Sequence, residues 1–277
     1  MQPTAEQMNK LKILELDMLK HFIAVCQQLN LKYYIICGTL LGAVRHKGFS
    51  PWDDDIDVAM FRDDYEIFVR EGQKYLPKRY FIQTNKTDPQ CPINFAKIRD
   101  CETTYMEVTV QRQKMNHGVF IDVFPLDKHP DNTGEVNNFK RKNDKLNKII
   151  RKVFTVDRRV GLLRFMFHRF INFLPHKKSW REALEEQDKL IQANVGDNYV
   201  ANYCGDWDKE TFPKQWYGEG VELLFEGIKV NAPKEYKAWL NQVYGNYMEL
   251  PPESQRVAHH YVKIIDLQKS YKEYSNE

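Results

Sequence analysis

Apolar residues recur at steps of three and four through Leu11, Leu14, Met18, Phe22 and Val25. This is the stripe of an amphipathic helix over Glu6 to Asn30. The period then changes. Tyr33 to Cys37 is continuously apolar, with β-branched Ile35 and Ile36, which predicts a buried strand. Gly38 permits a sharp turn and Thr39 is suited to cap the next element. Leu40 to His46 predicts a short helix, stopped by Gly48 and Pro51. A second apolar strand, Val58-Ala59-Met60, comes after a run of acids. Asp63 is placed to cap a helix reaching Tyr75, and Pro77 ends it. Tyr80 to Gln83 and Pro92 to Arg99 read as strands, as does Val119 to Phe124 with Asp122 set among its apolar residues. Gly161 to Leu174 is a helical apolar stripe, and Trp180 to Ala193 is another helix. Phe225 to Val230 predicts a strand. Pro233 opens a helix that Gly245 stops after Tyr244. Ser254 to Glu277 is polar and tail-like, and no role is assigned to its His259 and His260. The expected fold class is α/β, a mixed sheet with flanking helices and a helical extension.

The acids change the picture from fold to chemistry. Side chains alternate along a strand, so Asp55 and Asp57 point one way while Ile56 and Val58 point the other. Asp53 joins them if the strand begins early. Neighbouring carboxylates on one face repel unless a cation lies between them. Their hard oxygens suit Mg²⁺ or Mn²⁺, completed by substrate phosphate. An acidic surface loop is the plain alternative. It does not explain why the acids sit between an apolar strand and a glycine-ended one. Asp122, flanked by Ile121 and Val123, needs a buried partner. It is a candidate third ligand and proton acceptor, or else it binds the amides of a loop. Asp127 comes after Pro125 and reads as a turn or cap residue, and His117 is expected near the same end or at the surface.

Alternation places Phe95, Lys97 and Arg99 on one face, where the two cations either neutralise phosphate or line a solvated edge. The loop Tyr203 to Gly220 is dense in rings. Trp207, Trp216 and Tyr217 could cage a quaternary ammonium beside Asp206, Asp208 or Glu219, or simply pack the loop.

The 277 residues allow one large domain or two small ones, and the net charge of +3 is near balance. Five cysteines with no CxxC pair argue against a disulfide framework. The N-terminal stretch lacks a signal peptide's apolar centre, and no apolar run is long enough for a bilayer. The expectation is a cytoplasmic protein, soluble or peripheral at the inner face of the membrane. Charge matters locally in 140–178, where Lys and Arg dominate around the Gly161 to Leu174 stripe. That segment suits either peripheral membrane contact or a core helix with basic edges. No nucleic-acid recognition motif accompanies it.

The stretch CGTLLGAVRHKGFSPWDDDIDVAM, Cys37 to Met60, resembles the signature of the LicD family, which includes bacterial phosphocholine transferases and is related to fukutin and fukutin-related protein. GVFIDVFPLD at Gly118 to Asp127 and FEGIKVNAPKEY at Phe225 to Tyr236 extend the resemblance. Gly38-Thr39 with Asp55-Ile56-Asp57 also resembles the general nucleotidyltransferase motif, with Thr39 for the usual Ser or Gly and a longer gap to the acids. LicD-type sequences share both departures.

The resemblance implies one LicD-like domain over 1–277, with a nucleotidyltransferase-like core near 31–127 and a mainly helical part near 135–250. It also implies a metal-dependent phosphotransferase. The expected reaction moves phosphocholine from CDP-choline to a sugar hydroxyl of a cell-surface glycan or teichoic-acid precursor, possible lipid linkage included. Asp55, Asp57 and Asp122 would hold the metal, and Asp122 or Asp53 would take the hydroxyl proton. Gly38, Thr39, Arg45, Lys97, Arg99 and Lys229 would serve the phosphates, with Trp52 stacking on a base or pinning its loop. A nucleotidyltransferase, transfer of another phospho-substituent, and a non-catalytic choline- or glycan-binding module are the alternatives.

Overall fold

Helix α1, Ala5–Leu29, follows the predicted stripe and buries Leu11, Met18, Leu19, Phe22 and Val25. The Thr4 hydroxyl accepts the Gln7 amide, and the Gln7 side chain returns to the Thr4 amide. The computed structural model describes residues 2–154 and 178–274, so the stripe Gly161 to Leu174 lies outside the described residues.

Beneath α1 lies a mixed sheet. Its elements are β1 (Tyr34–Ile35), β2 (Asp57–Phe61), β3 (Tyr80–Gln83), β4 (Ala96–Asp100) and β6 (Phe120–His129), with β5 (Thr104–Glu107) outside it. The order across the sheet is β1-β2-β6-β4-β3. β2 and β6 run parallel, and the other pairs are antiparallel. The ten-residue β6 is the central strand, and all but Lys128 of it is buried. Its far end continues into β7 (Tyr199–Ala201) and β8 (Thr211–Pro213). Helix α2, Cys37–Arg45, joins β1 to the acidic loop, and α3, Arg62–Glu71, leaves β2. No side chain caps α3. Asp63 sits inside its first turn, where an acid favours the helix dipole, rather than at the cap position that the sequence suggested.

α4 (Thr133–Ile150) and α5 (Trp180–Gln192) pack through Leu146, Ile150, Ala183 and Leu184. The described residues of the stretch 135–250 include strands as well as helices. They carry β7, β8 and a hairpin of β9 (Val221–Phe225) and β10 (Ile228–Ala232), with α6 (Tyr236–Tyr244) after it. Phe225 to Val230 is therefore two strand ends around a turn. The supposed tail contains β11, Val262–Asp266, which pairs antiparallel with β5. Asp127 is no cap either. Arg62 grips it through Nε at 2.7 Å and Nη2 at 2.6 Å, which anchors α3 to β6.

Candidate active site

The site begins at a strained turn. Cys37 stands at φ 48°, a left-handed conformation unfavourable for a residue with a side chain. It turns β1 directly into α2, so the helix starts three residues before Leu40. No side chain caps it. Thr39 lies in its first turn, and its hydroxyl accepts the Asp57 amide at 2.8 Å, tying α2 to the acidic strand. Gly38 is required by close approach, because a Cβ there would lie 2.7 Å from Asp53 Oδ2.

Asp57 and Asp122 are direct partners in the parallel β2–β6 register, so their side chains stand side by side on one face. Asp55 precedes β2 in a loop, yet it reaches the same place. Carboxylate oxygens of Asp55, Asp57 and Asp122 all lie within 4.8 Å of one another. Burial raises the pKa of Asp57 well above the ordinary carboxylate range, and the charges of Asp55 and Asp122 add to the rise. Burial also raises Asp122, against the pull of Lys97. The Lys97 ammonium pairs with both oxygens of Asp122, Oδ1 at 2.8 Å and Oδ2 at 3.2 Å. Three converging acids with one lysine lack positive charge, and their oxygens suit a hard divalent ion. A second group, Asp53, Asp55 and His259, meets the same spacing and shares Asp55.

Beside the acids opens a cavity of about 550 Å³, lined by Gly38, Arg45, Trp52, Asp53, Tyr244 and His259 among others. Two guanidinium groups lie near the Trp52 ring, Arg45 at 5.6 Å and Arg256 at 5.7 Å from its centre. Arg45 also donates to the carbonyls of Tyr247 and Glu249, which fixes the cavity wall. Gly38, Thr39, Arg45, Trp52 and Asp53 thus come together with the acids.

Of the other expected residues, only Lys97 remains at the acids. Arg99 is fully buried, and its guanidinium is taken by Gln83, the Gly118 carbonyl and Glu107, so it cannot meet a phosphate. Lys97 stays at the site, but as the partner of Asp122 with its ammonium 3.3 Å from the Phe120 ring centre. Lys229 is exposed on the β9–β10 hairpin and pairs with Glu222 at 2.7 Å. The three rings form no cage. Tyr217 is buried against Tyr34, Phe61 and Phe212, and Trp216 packs on Phe212. Trp207 belongs to a separate cluster with Phe139, Tyr203 and His129. The proposed counter-charges Asp206, Asp208 and Glu219 pair with Lys209, Lys140 and Lys32. His117 lies elsewhere, its Nε2 2.8 Å from the Gln113 carbonyl.

Sequence reasoning missed the clasp on the acidic loop. Asp54 accepts the Tyr105 hydroxyl at 2.8 Å and the amides of His259 at 2.9 Å and His260 at 3.2 Å. The His260 ring faces Asp54 at 3.4 Å and Asp55 at 3.9 Å. Burial opposes its protonation, but Asp54, Asp55 and Glu107 overcome that and push its pKa up to about 9. Arg256 and the buried Glu210, which Cys37 approaches at 3.8 Å, were missed too. Only β11 left a signal, the short apolar run Val262-Lys263-Ile264-Ile265.

Comparison with known proteins bears on this arrangement. Residues 30–156 match the family described as LicD/FKTN/FKRP, nucleotidyltransferase domain. The lipopolysaccharide cholinephosphotransferase LicD of Haemophilus influenzae is 31% identical over 272 residues, covering 88% of this chain and 92% of that protein. An uncharacterised protein of Rickettsia prowazekii is 33% identical over 103 residues, 37% of this chain and 35% of its own length. Another from Rickettsia typhi is 44% identical over 57 residues, 21% of this chain and 18% of its own length. The matched segment spans β1 to β6 and so contains all three converging aspartates, while the Haemophilus relative is similar along nearly the whole chain: this protein belongs to the LicD family.

Proposed function

We propose that this LicD-type phosphotransferase moves phosphocholine from CDP-choline to a sugar hydroxyl of a cell-surface glycan precursor, with Mg²⁺ or Mn²⁺ held by Asp55, Asp57 and Asp122. The observation that carries the reading is the convergence of Asp57 and Asp122 from two parallel strands with Asp55 from the loop before β2, short of positive charge and next to a cavity lined by Asp53. The name of the Haemophilus relative, a cholinephosphotransferase, supports the head group.

A divalent ion would neutralise the diphosphate and orient its phosphorus for in-line attack. The rest falls to the protein. The Trp52 ring offers a surface for the nucleotide base, and Arg45 and Arg256 beside it offer positive charge for its phosphate. The opening turn of α2 adds backbone amides at Gly38 and Thr39. Asp122, buried beside Asp57 and ion-paired to Lys97 at 2.8 Å, is the carboxylate assigned to receive the acceptor's hydroxyl proton. The acceptor oxygen forms the new bond to phosphorus as the bond from phosphorus to CMP oxygen breaks, and CMP leaves with that electron pair. Asp54 and His260 keep Asp55 in place.

The test is CMP release from CDP-choline, CDP-ethanolamine, CDP-glycerol and CDP-ribitol with Mg²⁺ and with EDTA. CMP from CDP-choline, dependent on the ion and lost in Asp57→Ala, is expected. Turnover in EDTA, or in Asp57→Ala, would discard the metal assignment. CMP from a different donor would discard the head group.

A further inference from the structure

A second cavity, about 670 Å³, opens between the loop before β4, α4, α5 and the loop after β7. That volume falls within the usual range for ligand sites. Phe95, Asp144, Asn147, Tyr203, Asp206 and Trp207 are among its lining residues. Two of its walls back onto the acid cluster. Phe95 lies 5.5 Å from Lys97 Nζ, which is itself 2.8 Å from Asp122. On the other wall the Asp206 amide donates to Glu210 at 2.9 Å, and a Cβ at Gly205 would strike Glu210 at 2.4 Å. Glu210 in turn adds to the negative potential at Asp57. The Trp52 cavity meets the acids from a different direction, through Gly38 and Asp53.

We infer that this second cavity holds the sugar acceptor, an inference that rests on the phosphotransfer reading above. In-line displacement puts the attacking oxygen opposite the leaving oxygen. A nucleotide seated on Trp52 therefore obliges the acceptor to arrive from the Asp122 side, where Phe95 lies 5.5 Å from the Lys97 ammonium. The lining fits that chemistry. Flat rings match the C–H faces of a pyranose, and carboxylates and amides match its hydroxyls. Charge argues in the same direction. Among the described lining residues Asp144, Asp206 and Asp208 outnumber Lys140 and Arg151, so this lining offers a nucleotide diphosphate no net positive charge. The hydroxyl of the seated sugar would point at Asp122, the group placed to take its proton.

Steady-state kinetics on the full chain test this, with CDP-choline varied at fixed galactose, glucose or N-acetylglucosamine, and then the reverse. Trp207→Ala is expected to raise the acceptor KM at least tenfold and to move the donor KM less than twofold. Asp144→Ala, an exposed and fold-neutral change, should shift the acceptor KM in the same direction. Lys229→Ala, far from both cavities in role, serves as the control. In parallel, quenching of tryptophan fluorescence by the same sugars without donor should be present in the wild type and lost in Trp207→Ala. A raised donor KM with an unchanged acceptor KM would overturn the assignment, as would no change in either constant. Failure of the metal reading shows differently, as turnover that survives EDTA with the KM pattern intact.

Discussion

Replacing Asp57 by Asn separates the electrostatics of the site from its chemistry. Asp57 and Asp122 are register partners with carboxylate oxygens within 4.8 Å. Two unit charges about 5 Å apart at an effective dielectric near 20 repel by roughly 3 kcal/mol. Partial protonation and Lys97 offset some of this, so removing one charge should stabilise the metal-free protein by about 1–2 kcal/mol. For a chain of 277 residues, at about 2 cal/mol/K of unfolding entropy per residue, that is a rise in Tm of roughly 2–4 °C. Metal reverses the order. An ion at a hundred times its Kd stabilises the wild type by about 2.7 kcal/mol, or roughly 5 °C, and Asp57→Asn should lose most of that gain. Thermal melts followed by circular dichroism in EDTA, Mg²⁺ and Mn²⁺ measure both effects. The curves should cross, with the variant melting higher in EDTA and lower in saturating metal. A wild type indifferent to both ions, or a variant that responds to them equally, would refute the reasoning. So would a variant less stable in EDTA.

Gly38→Ala puts a methyl group against the Asp53 carboxylate, and we expect the donor KM to rise with a stability loss of about 1–3 kcal/mol; an unchanged KM would mean that Asp53 moves freely. Thr39→Val leaves the buried Asp57 amide without its acceptor, which should cost about 1–3 kcal/mol in urea unfolding with the slope m unchanged. Glu107 gives a pH test. Burial would raise its pKa, but Lys97, His260 and Arg99 hold it down at about 2. A depressed folded pKa stabilises the fold above the unfolded value and is lost as pH falls toward the folded one. Glu107→Gln should therefore cost about 3 kcal/mol at pH 7 and roughly half that at pH 3. A cost independent of pH over that range would sink the assignment.

The local patterns were legible where one element's own sequence sets its shape. The stripe from Leu11 to Val25 specified α1, and Asp55-Ile56-Asp57 with Asp122 marked the converging acids. Pairing across long separations was not. Arg99 looked available because alternation shows which face a residue takes, not whether Gln83, Gly118 and Glu107 already occupy its donors. The rings of Tyr203 to Gly220 were legible as aromatic, but the chain divides them between two clusters, one around Phe212 and one around Phe139. Thr39 was read as a cap because Gly38 suggested the turn. Cys37 instead makes the turn at a positive φ and shifts the helix start toward the strand. His259 and His260 had no periodic context, and only the fold brings them to Asp54.

The bonds from Asp54 to the amides of His259 and His260 close a loop of 205 and 206 residues. While the chain is being made on the ribosome, the acidic loop is finished early and waits for a stretch synthesised much later. An unfinished polypeptide thus carries all three converging aspartates, Asp55, Asp57 and Asp122, yet lacks the clasp on their loop. Catalytic competence then requires translation to pass His260, and cell-free translation of chains halted before His259 should yield protein without turnover.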